Sequence, residues 1–129
     1  MLFRSYVERS HLLLGLTQDE EVVQDIGAVC TLIKNKAGIS LTAYGPHSIL
    51  AAYAALFEPS IKEVVVIDPP KSHKEGPHFL GILRVLDIPE ALGLLAPTPL
   101  TIIGGKDAAF DRTAAIYRLA GAADKLTRK

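Results

Sequence analysis

Ile39-Ser-Leu-Thr-Ala-Tyr-Gly-Pro-His-Ser-Ile-Leu-Ala-Ala-Tyr-Ala-Ala-Leu-Phe57 decides how the chain reads. Its first six residues, Ile39 to Tyr44, are short, mostly apolar and partly β-branched, which predicts a strand. Its last part, Ser48 (or His47) to Phe57, is rich in Ala and Leu and predicts a helix. That helix is apolar on nearly every side, so it belongs in the interior, and its alanines allow close approach to a sheet. Gly45-Pro46-His47 forms a tight corner between the two.

Moving outward, Ile61–Ile67 contains Val64-Val65-Val66-Ile67, a run without polar alternation. Such a strand is covered on both faces, which points to a parallel sheet with helices on each side. Pro99–Ile103 reads as a third strand. Upstream, Thr17-Gln18-Asp19-Glu20 fits a capping box, with Glu20 three positions after the Thr17 cap. Val22, Val23, Ile26, Val29, Cys30 and Ile33 follow at helical spacing, and Lys36 and Gly38 supply stop signals, so a helix is expected over 19–35. Asp87-Ile88-Pro89-Glu90 opens a short helix that runs to about Leu95. Asp111 is placed to cap a helix from Arg112 to Leu119, with Gly121 just past its end. Ala122 to Lys129 reads as a tail approaching a further strand, not as a strand itself. Leu12-Leu13-Leu14 lies in an N-terminal arm, 1–16, that fits either a short strand or an apolar segment.

The alternation of helix and strand predicts an α/β fold. The expected form is three-layer, a short parallel sheet of three or four strands with helices on both faces. A length of 129 residues fits one domain spanning 1–129. Fourteen basic and fourteen acidic residues cancel, so nothing in the charge favours nucleic acid or an anionic membrane. No apolar run reaches the roughly 18 residues of a membrane span. The start, MLFRSYVERSHLLLGL, is broken by charges and does not read as a signal peptide. The single Cys30 excludes an intrachain disulfide, fits a reducing, cytoplasmic setting, and reads as a small buried hydrophobe.

A strand that turns sharply into a buried helix is where a G-x-S-x-G nucleophile elbow sits. Here the residues in register are Ala43-Tyr44-Gly45-Pro46-His47, with glycine at the serine position. Ser48 is the nearest hydroxyl, but a serine at a helix start is usually a cap. Neighbouring helical residues point about 100° apart, so His47 is badly placed to serve Ser48 as a base. His73 and His78 flank the Gly76-Pro77 loop after the second strand, on the same side as Asp107, so a His73–Asp107 or His78–Asp107 pair is geometrically conceivable. The plainer reading makes both histidines solvent-exposed loop residues. His47, His73, His78, Asp68 and Asp107 share that edge, yet no ligand spacing marks a metal site, and Asp68 before Pro69-Pro70 reads as a turn residue. Gly104-Gly105 matches no phosphate-binding pattern. Neither a metal nor a cofactor is expected.

Several stretches, in this order and spacing, resemble the α/β-hydrolase superfamily, most closely its acetyl xylan esterase and dienelactone hydrolase-like branch. Leu13-Leu14-Gly15 through Val23 and Asp25 to Leu32-Ile33 resembles the helix before the nucleophile strand. Gly45 to Leu56 resembles the elbow and its helix, and Phe57-Glu58-Pro59-Ser60-Ile61-Lys62-Glu63-Val64-Val65 the link into the next strand. Asp87 through Ala96-Pro97 to Leu100, then Ile102-Ile103-Gly104-Gly105-Lys106-Asp107, resemble the family's later segments. The resemblance spans 10–129 and corresponds to the central-to-late part of the fold. It maps the family acid onto Asp107, puts Gly45 where the nucleophile belongs, and would place the family histidine past residue 129.

The expected function is therefore a degenerate hydrolase-like protein without serine-esterase activity, acting as an oligomeric binding or structural module. A small-molecule ester or acid is the ligand class the resemblance suggests. A short ribbon with bare edges and apolar strands predicts a homo-oligomer, a dimer joined through a sheet edge or by segment exchange. The alternative is a carboxylic-ester hydrolase whose site uses His73, His78 or Ser48 with Asp107, assembled within or between subunits. A third reading makes the chain a piece of a longer hydrolase-like polypeptide.

Overall fold

A computed structural model describes residues 17–33 and 38–129. The expectations for 1–16, and for the helix end at Asn35, lie outside the described residues. Helix α1, Gln18–Leu32, starts at the capping box that the sequence marked. The Thr17 hydroxyl accepts from the Glu20 amide at 3.1 Å, and the Thr17 amide donates back to the Glu20 carboxylate at 3.0 Å. Asp19, Glu20 and Glu21 crowd the first turn, where the helix dipole favours negative charge.

Strand β1, Ile39–Tyr44, and strand β2, Ile61–Ile67, fall where their residue types placed them. Between them α2, Gly45–Phe57, begins at the corner glycine, earlier than the expected His47 or Ser48, with Pro46 in its first turn. Helix α3, Ile88–Gly93, is capped by Asp87 in a second capping box with Glu90. Strand β3 is Leu100–Ile103. Helix α4, Asp111–Leu119, has Phe110 at its cap position; Asp111 sits in the first turn and does not cap it as the sequence suggested. The capping carboxylate there is Asp107, which accepts from the Ala109 amide at 2.8 Å and starts the short 3-10 turn Ala108–Phe110.

The tail is also corrected. Leu126–Arg128 forms β4 and pairs in parallel with Leu100–Ile102. The ladder continues where Lys129 donates to the Ile102 carbonyl and Gly104 donates to the Lys129 carbonyl, each at 2.9 Å. Three residues with two polar side chains carry no strand signature of their own; pairing makes the strand. Among the described residues the sheet is thus four parallel strands in the order β1-β2-β3-β4, with β1 and β4 at its edges.

The α/β class and the short parallel sheet are as expected. Parallel register sets Leu41 beside Val64 and Val64 beside Leu100, with Ala43, Val66 and Ile102 aligned two residues on. This face is the buried one: Val64, Val66 and Ile102 are fully enclosed, together with Ile49 of α2, Ile88 and Leu92 of α3, and Phe110 and Tyr117. Each such side chain contributes about 1.5–3 kcal/mol by leaving water. Helix α2 packs on β1 and β2, and the helices contact in succession, α1 with α2, α2 with α3, α3 with α4. Gly93 allows the last contact, since a Cβ there would land on the Ile116 side chain. The opposite face is covered unequally. Val65, Ile67 and Thr101 are half-buried, whereas Ser40, Thr42, Tyr44, Glu63 and Thr127 are exposed.

Candidate functional site

All four strands run in parallel, so Tyr44, Ile67 and Ile103 end on one edge of the sheet, and the elements that follow them meet there. The corner after β1 has the backbone of an elbow. Gly45 adopts φ +54°, a left-handed conformation that side chains disfavour. Apart from its chain neighbours and the backbone of its own helix, no heavy atom of the described residues lies within 4 Å of where its Cβ would be. Space for a side chain is present, and the side chain is not.

Ser48 does not substitute for it. It is fully buried, and its hydroxyl donates to the Gly45 carbonyl at 2.6 Å. That bond leads back into the first turn of α2, so Ser48 neither caps the helix nor faces a base. His47 is exposed beside the corner.

A groove of about 580 Å³ opens next to the elbow. Pro46, His47 and Leu50 form one wall, Asp19 and Val22 of α1 a second, and the loop from Glu75 to His78 the third. The loop is joined to α1 because the His78 amide donates to the Asp19 carboxylate at 2.6 Å. The groove thus holds two imidazoles and two carboxylates around an apolar floor.

His73 corrects the expectation of an exposed loop histidine. It is 3% exposed and has partners at both ring nitrogens. Nδ1 lies 2.8 Å from the Pro77 carbonyl, which only accepts, so Nδ1 carries the proton. Nε2, 2.9 Å from the Tyr53 hydroxyl, is then the acceptor. Burial, reinforced by the charge of Asp87, pushes the Tyr53 phenol up to about 12, which keeps its proton available to donate. The His73 amide donates to Asp87 Oδ1 at 2.7 Å, and the Ser72 hydroxyl to Oδ2 at 2.6 Å. Phe79 packs against both rings, edge-on to His73 and 4.8 Å from the centre of Tyr53. His78, by contrast, is exposed as expected.

Asp107 is occupied elsewhere. Lys71 forms an ion pair with it at 2.6 Å and holds its carboxyl below the usual range, helped by the Ala109 amide. Among the described residues, neither His73 nor His78 bonds to it. Its backbone is clamped by Arg128, whose guanidinium donates to the carbonyls of Gly105 at 2.8 Å and Asp107 at 2.9 Å and also pairs with Asp111. Asp68 is a strand-end turn residue at φ +48°, close against Gly104. No three metal-binding side chains converge among the described residues. Cys30 is buried, and burial together with Glu58 raises its thiol above the ordinary range, so it is an inert core residue.

Three residues with defined roles at this edge were not singled out from the sequence: Tyr53, Asp87 and Arg128. Tyr53 carried a signal, since a phenol inside an otherwise apolar helix needs a partner. Asp87 was read only as a helix start. Arg128 had no local signal.

No family model, no curated protein and no solved structure matches the chain.

Proposed function

We propose that the protein is a hydrolase-like binding module without serine-esterase chemistry, which works as a homo-oligomer and holds a small acid or ester in the groove beside the elbow. Gly45 is the observation that carries this reading. A positive-φ corner with open space above it has the form of a nucleophile position, and the residue there has no nucleophile. The surrounding groups support it: Ser48 is bonded back to Gly45, and Asp107 is bonded to Lys71 and not to an imidazole. Self-association is supported by the edge strands β1 and β4 and by the unequal cover of the sheet's two faces.

The test is p-nitrophenyl acetate hydrolysis by the purified protein and by Asp107→Asn and His78→Ala. The expected rate equals that of buffer in all three. Turnover in the unaltered protein that either variant abolishes would replace this reading with the ester-hydrolase alternative. Light scattering at micromolar concentration should give at least twice the mass of one chain; a monomer would remove the oligomeric part.

A further inference from the structure

We infer that a second cleft, continuous with the elbow groove through His78, binds an amphipathic monocarboxylate, with its apolar chain on Phe79, Ile82 and Leu83 and its carboxylate on Arg84. This rests on the reading that this end of the sheet binds and does not cleave. The cleft measures about 330 Å³ and lies between the buried His73 and the short 3-10 turn Ile82–Arg84. A volume near 300 Å³ is at the lower end for small-molecule sites, which suits a slender ligand.

The floor offers no free polar atom from His73. Both of its ring nitrogens are engaged, by Tyr53 and by Pro77. Phe79 stands edge-on to it, at 5.5 Å between ring centres. An alkyl chain laid there therefore leaves no hydrogen-bonding group of that ring unsatisfied.

The rim is different. Gly81, at φ +69°, turns the chain into the 3-10 segment. Leu83 stays about half exposed there, and Val85 just beyond it is 80% exposed. Exposed apolar side chains next to a cleft extend it into an apolar surface that a ligand can cover. Arg84 is exposed, and among the described residues its guanidinium has no partner. Arg118 is likewise exposed and without a side-chain partner among the described residues but lines neither cleft, whereas Arg112 and Arg128 are paired with Glu90 and Asp111. A planar guanidinium recognises a carboxylate through two parallel bonds, which a neutral alcohol cannot reproduce. The carboxylates of Asp19 and Glu75 line the adjoining groove, which shares His78 with this cleft.

The experiment is calorimetric titration of octanoate into the full chain, its Arg84→Gln variant and its Leu83→Asp variant, with 1-octanol as the neutral probe. Saturable one-site binding of octanoate is expected. Losing a charge-assisted pair should weaken it roughly tenfold in Arg84→Gln. Leu83→Asp should remove it. In the unaltered protein 1-octanol should bind more weakly than octanoate, and Arg84→Gln should leave 1-octanol unaffected. Arg84 is exposed, so unchanged melting temperature will show that the variant is folded. Absence of saturable heat, or equal octanoate affinity with and without Arg84, would overturn the inference. So would sedimentation with phosphatidylcholine vesicles in the absence of octanoate binding, which would make the apolar rim a membrane contact. Hydrolysis of p-nitrophenyl octanoate by the same sample is read separately: turnover defeats the non-catalytic reading, whereas the octanoate titration alone decides this site.

Discussion

The corner after β1 and the loop after β2 lie at the same end of the sheet and are opposite in kind. At Gly45 the backbone is left-handed, a conformation glycine adopts without strain, and the space above it is open, with no functional group. At His73 an imidazole is paired with a phenol, and a hydroxyl with a carboxylate that also accepts from the His73 amide, so all four groups are committed to each other or to backbone. Catalysis needs both properties in one place: a group that can react and a geometry that leaves it free. On the proposed reading, their separation at this sheet edge is why no ester hydrolysis is expected.

The largest effect should come from breaking the second region. Asp87→Ala removes the α3 cap and leaves the His73 amide and Ser72 hydroxyl without their acceptor, at roughly 2–3 kcal/mol. Urea unfolding should show a lower midpoint at unchanged slope. A smaller effect is expected at the elbow. Gly45→Ala meets no steric obstacle, so its destabilisation should be the left-handed backbone alone, about 1–2 kcal/mol. A much larger loss would mean that a methyl group at this corner meets neighbouring atoms. Tyr53→Phe keeps the ring packing and deletes one donor to His73, and about 1 kcal/mol should be lost.

The smallest effect is a pH dependence. Asp87 and Glu90 are pushed up by burial, but hydrogen bonds from Ser72 and from Arg112, with nearby amides, outweigh it and hold both carboxyls below their ordinary range. A carboxyl depressed in the folded state adds stability above its unfolded pKa, at about pH 4, and that stability is lost as pH falls through the folded value. Melting temperature should therefore fall below about pH 4, and Asp87→Ala should flatten that acid limb. An unchanged limb in the variant would assign the acid sensitivity elsewhere.

What the sequence disclosed follows the same division. Strands β1 and β2 were legible because apolar or β-branched runs end at the strong stops of Gly45 and of Asp68-Pro69. The α1 cap was legible because Thr17 and Glu20 interact within one turn. The empty elbow was legible as a single residue identity. By contrast, β4 is made by pairing with β3, and Arg128 is placed by carbonyls more than twenty residues away. The burial of His73 depends on Tyr53, twenty positions earlier, and on the Asp87 carboxylate. Local pattern reports local interactions, and the His73 network is assembled almost wholly from distant ones.

Treatment with a fluorophosphonate ester followed by peptide mass mapping tests the central claim, that this elbow has no nucleophile. The protein should show no covalent adduct, because Gly45 has no side chain and the Ser48 hydroxyl is buried and bonded to the Gly45 carbonyl. A phosphonyl adduct on Ser48 would contradict the account and return the protein to the hydrolases.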